Sequence, residues 1–205
     1  MNRREKTLKL TVTASLMAIT IVLQALSGFF INPATGSPLA LSLIPIAVGA
    51  IIYGVSCGAF LGLGWSVFIL VSGQASYYMA MSVIGTIITV VGKGVLAGIV
   101  TALVYKALRK HNYVVAIIVA SIVTPIINSL VYRLGLVTFF HDYFFGKVGD
   151  KNPIAYFMGA FITGGFFIEV GISTVLSPVI VRICDVCFAK LGIKNYSKQK
   201  NIEFK

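Results

Sequence analysis

The stretch GTIITVVGKGVLAGIVTALVYKAL (residues 85–108) carries one charged residue, Lys93, before Lys106 near its end. At about 1.5 Å per residue, a helix of this length crosses the roughly 30 Å hydrocarbon core of a bilayer. Aliphatic residues and glycine dominate it, and no proline interrupts it. The stretch therefore predicts a transmembrane helix.

The whole chain has the same apolar character. Of its 205 residues, 58% are hydrophobic and only 11% are charged, and the mean hydropathy is +0.94. A soluble domain carries about 25% charged residues, so this surface is suited to lipid rather than to water. The net charge of +11 sits at the ends of apolar runs and in the two tails, which is typical of membrane orientation and not of nucleic-acid binding.

Apolar segments recur along the chain and are separated by short polar stretches. The first exceeds the 7–15 residues of a signal-peptide core, which favours an uncleaved helix. The second and third are short for spanning helices and are separated only by Gly54, Val55 and Ser56, so we expect a tight helical hairpin there. The six segments cover residues 9–30, 40–53, 57–71, 79–108, 114–136 and 154–184.

The distribution of basic residues predicts the orientation of these segments. With the N-terminus inside, thirteen Lys and Arg residues fall on the inner side, whereas the outer loops hold only Lys147 and Lys151. Cytoplasmic loops carry such an excess of basic residues. We therefore predict an all-α integral membrane protein with six transmembrane helices and both termini cytoplasmic. A single domain spans residues 1–190, followed by a basic cytoplasmic tail, 191–205.

Three ionisable residues lie inside the predicted spans, where a charge costs several kcal/mol. Lys93 and Glu169 fall near the middle of the fourth and sixth segments, and Arg133 lies about one turn from the outer end of the fifth. A buried Lys93–Glu169 ion pair and an Arg133 that reaches the interface are the structural interpretations. The functional interpretation is a pocket of net positive charge for a ligand with a carboxylate or phosphate.

Further polar candidates lie near these charges. Asn128 is five residues before Arg133 and, if buried, needs partners that a polar ligand or a neighbouring helix supplies. The third outer loop, SGQASYY (residues 72–78), places Gln74, Tyr77 and Tyr78 where they can close over a ligand. Tyr132 and His141 are weaker candidates. We predict a substrate site on the outer side of the bundle.

Small residues spaced by four predict close helix packing. Gly58 with Gly62, and Gly94 with Gly98, are expected to pack within the chain. Ala14 and Ala18 on the first segment suit either internal packing or a partner subunit. The chain has no P-loop motif and no H-E-x-x-H or G-x-S-x-G motif, so we predict no enzymatic activity and no cofactor. Energy for uphill transport must come from a partner subunit or an ion gradient.

Residues 11–186 resemble the substrate-binding (S) components of energy-coupling factor (ECF) vitamin transporters, most closely the pantothenate-type branch. The resemblance rests on the Ala14/Ala18 pair and on the order of four stretches along the chain. These are IPIAVGAIIYGVSCGAFLGLGWSVF (44–68), the stretch 85–108 quoted above, TPIINSLVYRLG (124–135) and FFIEVGISTVLSPVIVRI (166–183), which includes Glu169.

The resemblance implies a prokaryotic cell-membrane subunit that captures a vitamin outside the cell. It implies docking, through Ala14 and Ala18, to a membrane scaffold with two ATPases, followed by toppling in the membrane and release inside. Pantothenate, an anion, agrees with the positive pocket. Hydroxymethylpyrimidine or pyridoxine, riboflavin and folate are rival substrates, and an ion-coupled secondary transporter is the alternative of another class.

Overall fold

The structure, a computed structural model, describes residues 3–27, 40–149, 152–159 and 164–190. The stretch between the first two predicted segments (31–39) and the predicted basic tail (191–205) lie outside these ranges. Within them the fold is all-helical, as predicted. The helices are α1 Arg3–Ser27, α2 Leu43–Tyr53, α3 Val55–Val71, α4 Ser76–Met79, α5 Val83–Leu108, α6 Tyr113–Phe139, α7 His141–Val148, α8 Pro153–Gly159 and α9 Gly164–Lys190.

Four of these helices are long and apolar enough to cross a membrane: α1, α5, α6 and α9. Large aliphatic side chains on their outer faces are exposed, among them Ile84, Leu103 and Val175. Such faces suit lipid, which solvates apolar side chains as well as a protein interior does. Two shorter apolar helices, α2 and α3, accompany them. The length and composition of these helices confirm the prediction of a multi-pass α-helical membrane protein.

Helix α2 forms the centre of the bundle. All eleven of its residues are buried, in keeping with a helix that is apolar on every side. It ends at Tyr53, and α3 begins at Val55, so Gly54 alone forms the turn between them. Gly54 has a φ of 83°, which a residue without a Cβ adopts at low cost. The predicted hairpin is present, and its turn is tighter than the three residues expected.

Helices α3 and α5 meet through their glycines. A Cβ placed on Gly62 would lie 2.1 Å from the carbonyl oxygen of Gly94, and one on Gly98 would lie 2.1 Å from that of Gly58. Each glycine pair therefore packs on the other with backbone against backbone, as the spacing predicted. This contact fixes which adjacent side chains of α3 and α5 become neighbours, including Trp65, three residues after Gly62, and Lys93, the residue before Gly94.

Helix α9 is tied to α6 at a proline. Pro125 has no N–H group, so it cannot bond to the carbonyl oxygen of Ser121 one turn earlier. The hydroxyl of Ser173, on α9, donates a hydrogen bond to that oxygen at 3.0 Å. Both serines are buried, and an orphaned carbonyl there would be costly. The proline therefore creates the acceptor that joins the two helices.

Where the structure describes it, the stretch between the predicted fifth and sixth segments is helical, whereas the sequence indicated a loop over residues 137–153. Helix α6 continues to Phe139, and α7 follows at once. Phe140, Phe144 and Val148 are spaced by four, so they share one helix face, and all three are buried. That apolar face explains the helix. The predicted sixth segment, 154–184, likewise contains two described helices, α8 and α9.

Candidate functional site

Lys93 projects from α5 onto two aromatic rings. Its ammonium nitrogen lies 4.9 Å from the ring centre of Trp65, on α3, and 5.5 Å from that of Tyr132, on α6. The glycine contact between α3 and α5 brings Trp65 to Lys93. The faces of aromatic rings attract cations, by about 0.5–2 kcal/mol depending on how dry the site is. A positive charge is thus held between three helices.

The ion pair between Lys93 and Glu169, which was the structural alternative to a ligand-binding role, is not formed at contact distance, although the two charges attract each other. Within the described part of the chain, no carboxylate oxygen is recorded at ion-pair distance from Lys93. Glu169 instead accepts a hydrogen bond of 3.0 Å from the backbone N–H of Ala40, just before α2. Within α9 as the structure describes it, Glu169 lies in the second turn.

Asn128 lies one turn before Tyr132 on the same face of α6. It is only 8% exposed, and among the described residues its side-chain oxygen has no hydrogen-bond partner. A buried acceptor without a donor costs about 1–3 kcal/mol. This oxygen therefore marks a position next to Tyr132 where a ligand's N–H or O–H group would be stabilised.

A buried hydrogen-bond network centred on Gln24 was not predicted from the sequence. The Gln24 side-chain oxygen accepts hydrogen bonds from the Ser42 hydroxyl and the Trp65 indole N–H, each 2.7 Å long. The Gln24 nitrogen donates to the side-chain oxygen of Gln74, also at 2.7 Å. Gln24 is the only amide side chain in the first apolar segment, and that isolation was the signal available. The network joins the candidate Gln74 to Trp65.

Aromatic rings from three elements gather beside Tyr132. The hydroxyls of Tyr78 and Tyr132 are 2.6 Å apart. The Tyr78 ring packs edge-on against Phe140 and Tyr143, with centres 5.5 and 5.9 Å away, and the Tyr77 ring lies 5.8 Å from Tyr143. We call this cluster the aromatic cap; its members are Tyr77, Tyr78, Tyr132, Phe140 and Tyr143. Burial, and then the neighbouring Tyr132, raise the pKa of the Tyr78 phenol, which therefore stays neutral.

Two further groups of predicted site residues lie on α6 and α1. Arg133 is half-buried near the end of α6, next to Tyr132, with which it interacts electrostatically. Ala14 and Ala18 are both exposed on α1. The described residues contain no group of three or more His, Cys, Asp or Glu side chains that would hold a metal ion.

Comparison with known proteins assigns the chain to a family. The family described as "ECF transporter, substrate-specific component" matches residues 8–181. No curated protein and no solved structure matched the chain significantly. The family match covers most of α1, all of α2 to α6 and most of α9, and thus every helix that contributes to the site. The chain therefore belongs to the substrate-specific components of the ECF transporters.

Proposed function

We propose that this chain is the high-affinity substrate-capture subunit of an ATP-driven ECF importer, and that its substrate is pantothenate. Family membership makes it a membrane transport subunit that binds a small molecule. Because the chain carries no P-loop, ATP hydrolysis is expected on partner subunits. The particular substrate and the docking to those partners are the proposal.

The position of Lys93 carries the proposal. Its ammonium group lies among aromatic rings, and among the described residues Glu169 attracts it electrostatically without coming within ion-pair distance. A buried charge with no counter-ion in direct contact is unfavourable, so a ligand carboxylate that binds beside Lys93 is attracted to it. Pantothenate brings one carboxylate, and a neutral ligand would not relieve that charge.

The remaining contacts follow from the chemistry of the neighbouring groups. Arg133, with its planar fork of donors, is the second candidate for the carboxylate. Asn128 has an acceptor oxygen without a donor, and Glu169 has further lone pairs beyond its bond to Ala40. We assign both to amide or hydroxyl groups of the ligand. Gln74, Tyr77 and Tyr78 would cover the ligand from the outer side.

The proposed topology has six transmembrane helices, with α2 and α3 as the two short ones and both termini cytoplasmic. The single-residue turn at Gly54 supports α2 and α3 as two passes, since each must end there. The exposure of Ala14 and Ala18 supports a surface on α1 for the membrane scaffold, because small side chains let another backbone approach closely. Two ATPase subunits would complete the importer.

Native mass spectrometry of the subunit, expressed alone and purified in detergent, tests the proposal. Co-purified pantothenate would establish both capture and substrate. Hydroxymethylpyrimidine, pyridoxine, riboflavin or folate in its place would keep the capture role and replace the substrate. A subunit that carries nothing and ignores all of these compounds in thermal-shift assays would overturn the capture role. Uptake into proteoliposomes without ATPases would point to an ion-coupled transporter instead.

A further inference from the structure

The hydrogen bonds around Gln24 have a fixed direction, and Trp65 sets it. An indole N–H only donates, so the atom of Gln24 that faces Trp65 must be the amide oxygen. The amide nitrogen of Gln24 then faces Gln74, and Gln74 must present its own oxygen to it. The –NH2 group of Gln74 is therefore turned away from Gln24.

Reversing this order would be costly. If Gln24 were flipped, its –NH2 group would face both the indole N–H of Trp65 and the hydroxyl of Ser42. Trp65 is 2% exposed and Gln24 is 6% exposed, so water cannot replace the lost acceptor. A buried donor without an acceptor is strongly disfavoured. The direction set at Trp65 is thus transmitted through Gln24 to Gln74.

We propose that Trp65 and Gln24 are positioning residues that hold Gln74 with its two amide N–H groups directed to the ligand. The ligand group that Gln74 recognises is then a hydrogen-bond acceptor, a carbonyl or carboxylate oxygen. The ring face of Trp65 also contacts the ammonium group of Lys93. Trp65 therefore positions both the cation of Lys93 and, through Gln24, the amide donor of Gln74. This inference rests on the proposed capture function and adds a rule for its specificity.

The first test needs no ligand, because Trp65 is the only tryptophan in the chain. Its fluorescence in the full-length, detergent-purified protein reports the surroundings of one indole. Gln24→Met removes the acceptor, and we expect the Trp65 emission to shift to shorter wavelength. Gln24→Glu keeps two acceptor oxygens, and the emission should stay at the wild-type position. Identical emission from all three proteins would show that Gln24 does not hold the indole.

The second test reverses the orientation of the Gln74 side-chain amide. A carboxylate at position 24 only accepts, so in Gln24→Glu the Gln74 amide must turn to donate to it, and its oxygen then faces the ligand. We expect the affinity for pantothenate to fall by about tenfold or more, the effect of leaving polar groups unpaired. Gln74→Met, a neutral change at the exposed rim, should cause a similar loss.

A double variant separates this effect from the added negative charge. If Gln24→Glu acts through Gln74, it should cost nothing further in a Gln74→Met background. An equal loss in both backgrounds would mean that the charge acts directly on the ligand, and would overturn the inference. Wild-type affinity in Gln74→Met would also overturn it. These two variants decide the matter even if Gln24→Met does not fold.

A failure of the proposed function gives experimental results that differ from a failure of this inference. If the wild-type protein binds neither pantothenate nor the other vitamins, the capture role fails, and the ligand part of this inference fails with it. The emission of Trp65 in the ligand-free variants would still show whether Gln24 holds the indole. If the wild type binds pantothenate and the Gln74 variant binds equally well, only the specificity rule is wrong.

Discussion

The ammonium group of Lys93 lies 4.9 Å from the ring centre of Trp65, while Glu169, the carboxylate that could have paired with it, is hydrogen-bonded to the backbone of Ala40. The two kinds of contact, an ion pair and an aromatic contact, predict different effects on the stability of the protein when Lys93 is replaced. Removing one member of a buried ion pair leaves the other uncompensated, which costs about 3–5 kcal/mol. Removing a cation that no carboxylate contacts directly takes away a desolvation penalty and loses only the weaker, longer-range attraction of Glu169.

Lys93→Met should therefore separate stability from binding. We expect the ligand-free protein to be as stable as the wild type or more so, because a buried charge is replaced by an apolar side chain of similar length. Pantothenate affinity should fall by at least about a hundredfold, since a charged hydrogen bond contributes about 1.5–3 kcal/mol and the Coulombic attraction is lost as well. Thermal unfolding in detergent and equilibrium binding measure the two effects.

The matched control is Lys110→Met, which removes an exposed lysine just after the end of α5 and should leave both measurements unchanged. A Lys93→Met protein destabilised by several kcal/mol would mean that Lys93 has a structural carboxylate partner. In that case the pocket would not present an uncompensated positive charge, and the argument for an anionic ligand would lose its main support.

The glycine contact predicts a contrast between two alanine substitutions on α5. At Gly98 a Cβ would lie 2.1 Å from the Gly58 carbonyl oxygen, and backbone cannot move aside cheaply, so Gly98→Ala should cost about 1–3 kcal/mol. At Gly92 the nearest atom is a methyl of Val131 at 3.7 Å, an ordinary contact. Gly92→Ala should be neutral or stabilise the helix by up to about 1 kcal/mol.

Denaturant-induced unfolding in mixed micelles measures both variants under the same conditions. Equal effects of the two substitutions would contradict the close approach of α3 and α5. Loss of pantothenate binding in Gly98→Ala is expected to accompany the loss of stability, because the same contact positions Trp65 beside Lys93.

The sequence predicted these packing positions because they depend on local spacing. Residues four apart share a helix face whatever the helix meets, so the two glycine pairs and the span around Lys93 were predictable. The shortness of the second and third apolar segments predicted the break near Gly54. Helix α7 was not predicted because an amphipathic helix of eight residues resembles a polar loop with aromatic residues.

The polar network was not predictable because its members are distant in sequence. Gln24 lies 18 residues from Ser42, 41 from Trp65 and 50 from Gln74. No periodicity relates such positions, and only the packing of α1 against α2 and α3 brings them together. Glu169 illustrates the same limit. Its charge suggested Lys93 as a partner, whereas the fold supplies a backbone N–H that any residue at position 40 except proline would offer.

Ser173 and Pro125 are predicted to depend on each other. Ser173→Ala removes the donor to the Ser121 carbonyl oxygen and should cost about 1–3 kcal/mol, because that buried acceptor then has no partner. In a Pro125→Ala background, residue 125 supplies the helical N–H itself, and the same substitution should cost much less. Unfolding measurements on the four proteins of this cycle give the coupling. The same cost in both backgrounds would show that the proline does not create the acceptor.

The exposed alanines of α1 give a prediction about assembly that leaves the ligand site untouched. Ala14→Leu adds bulk at a position that is exposed in the isolated subunit, so its stability and its pantothenate affinity should not change. If α1 docks on the scaffold there, the added side chain prevents close backbone approach, and co-purification with the scaffold and ATPases should fall at least about tenfold. Ser15→Leu is the control, since Ser15 is also exposed but points about 100° away from Ala14 around the helix. Equal assembly of the two variants would place the docking surface elsewhere on the bundle. Loss of binding in isolated Ala14→Leu would instead mean that this face of α1 supports the ligand site.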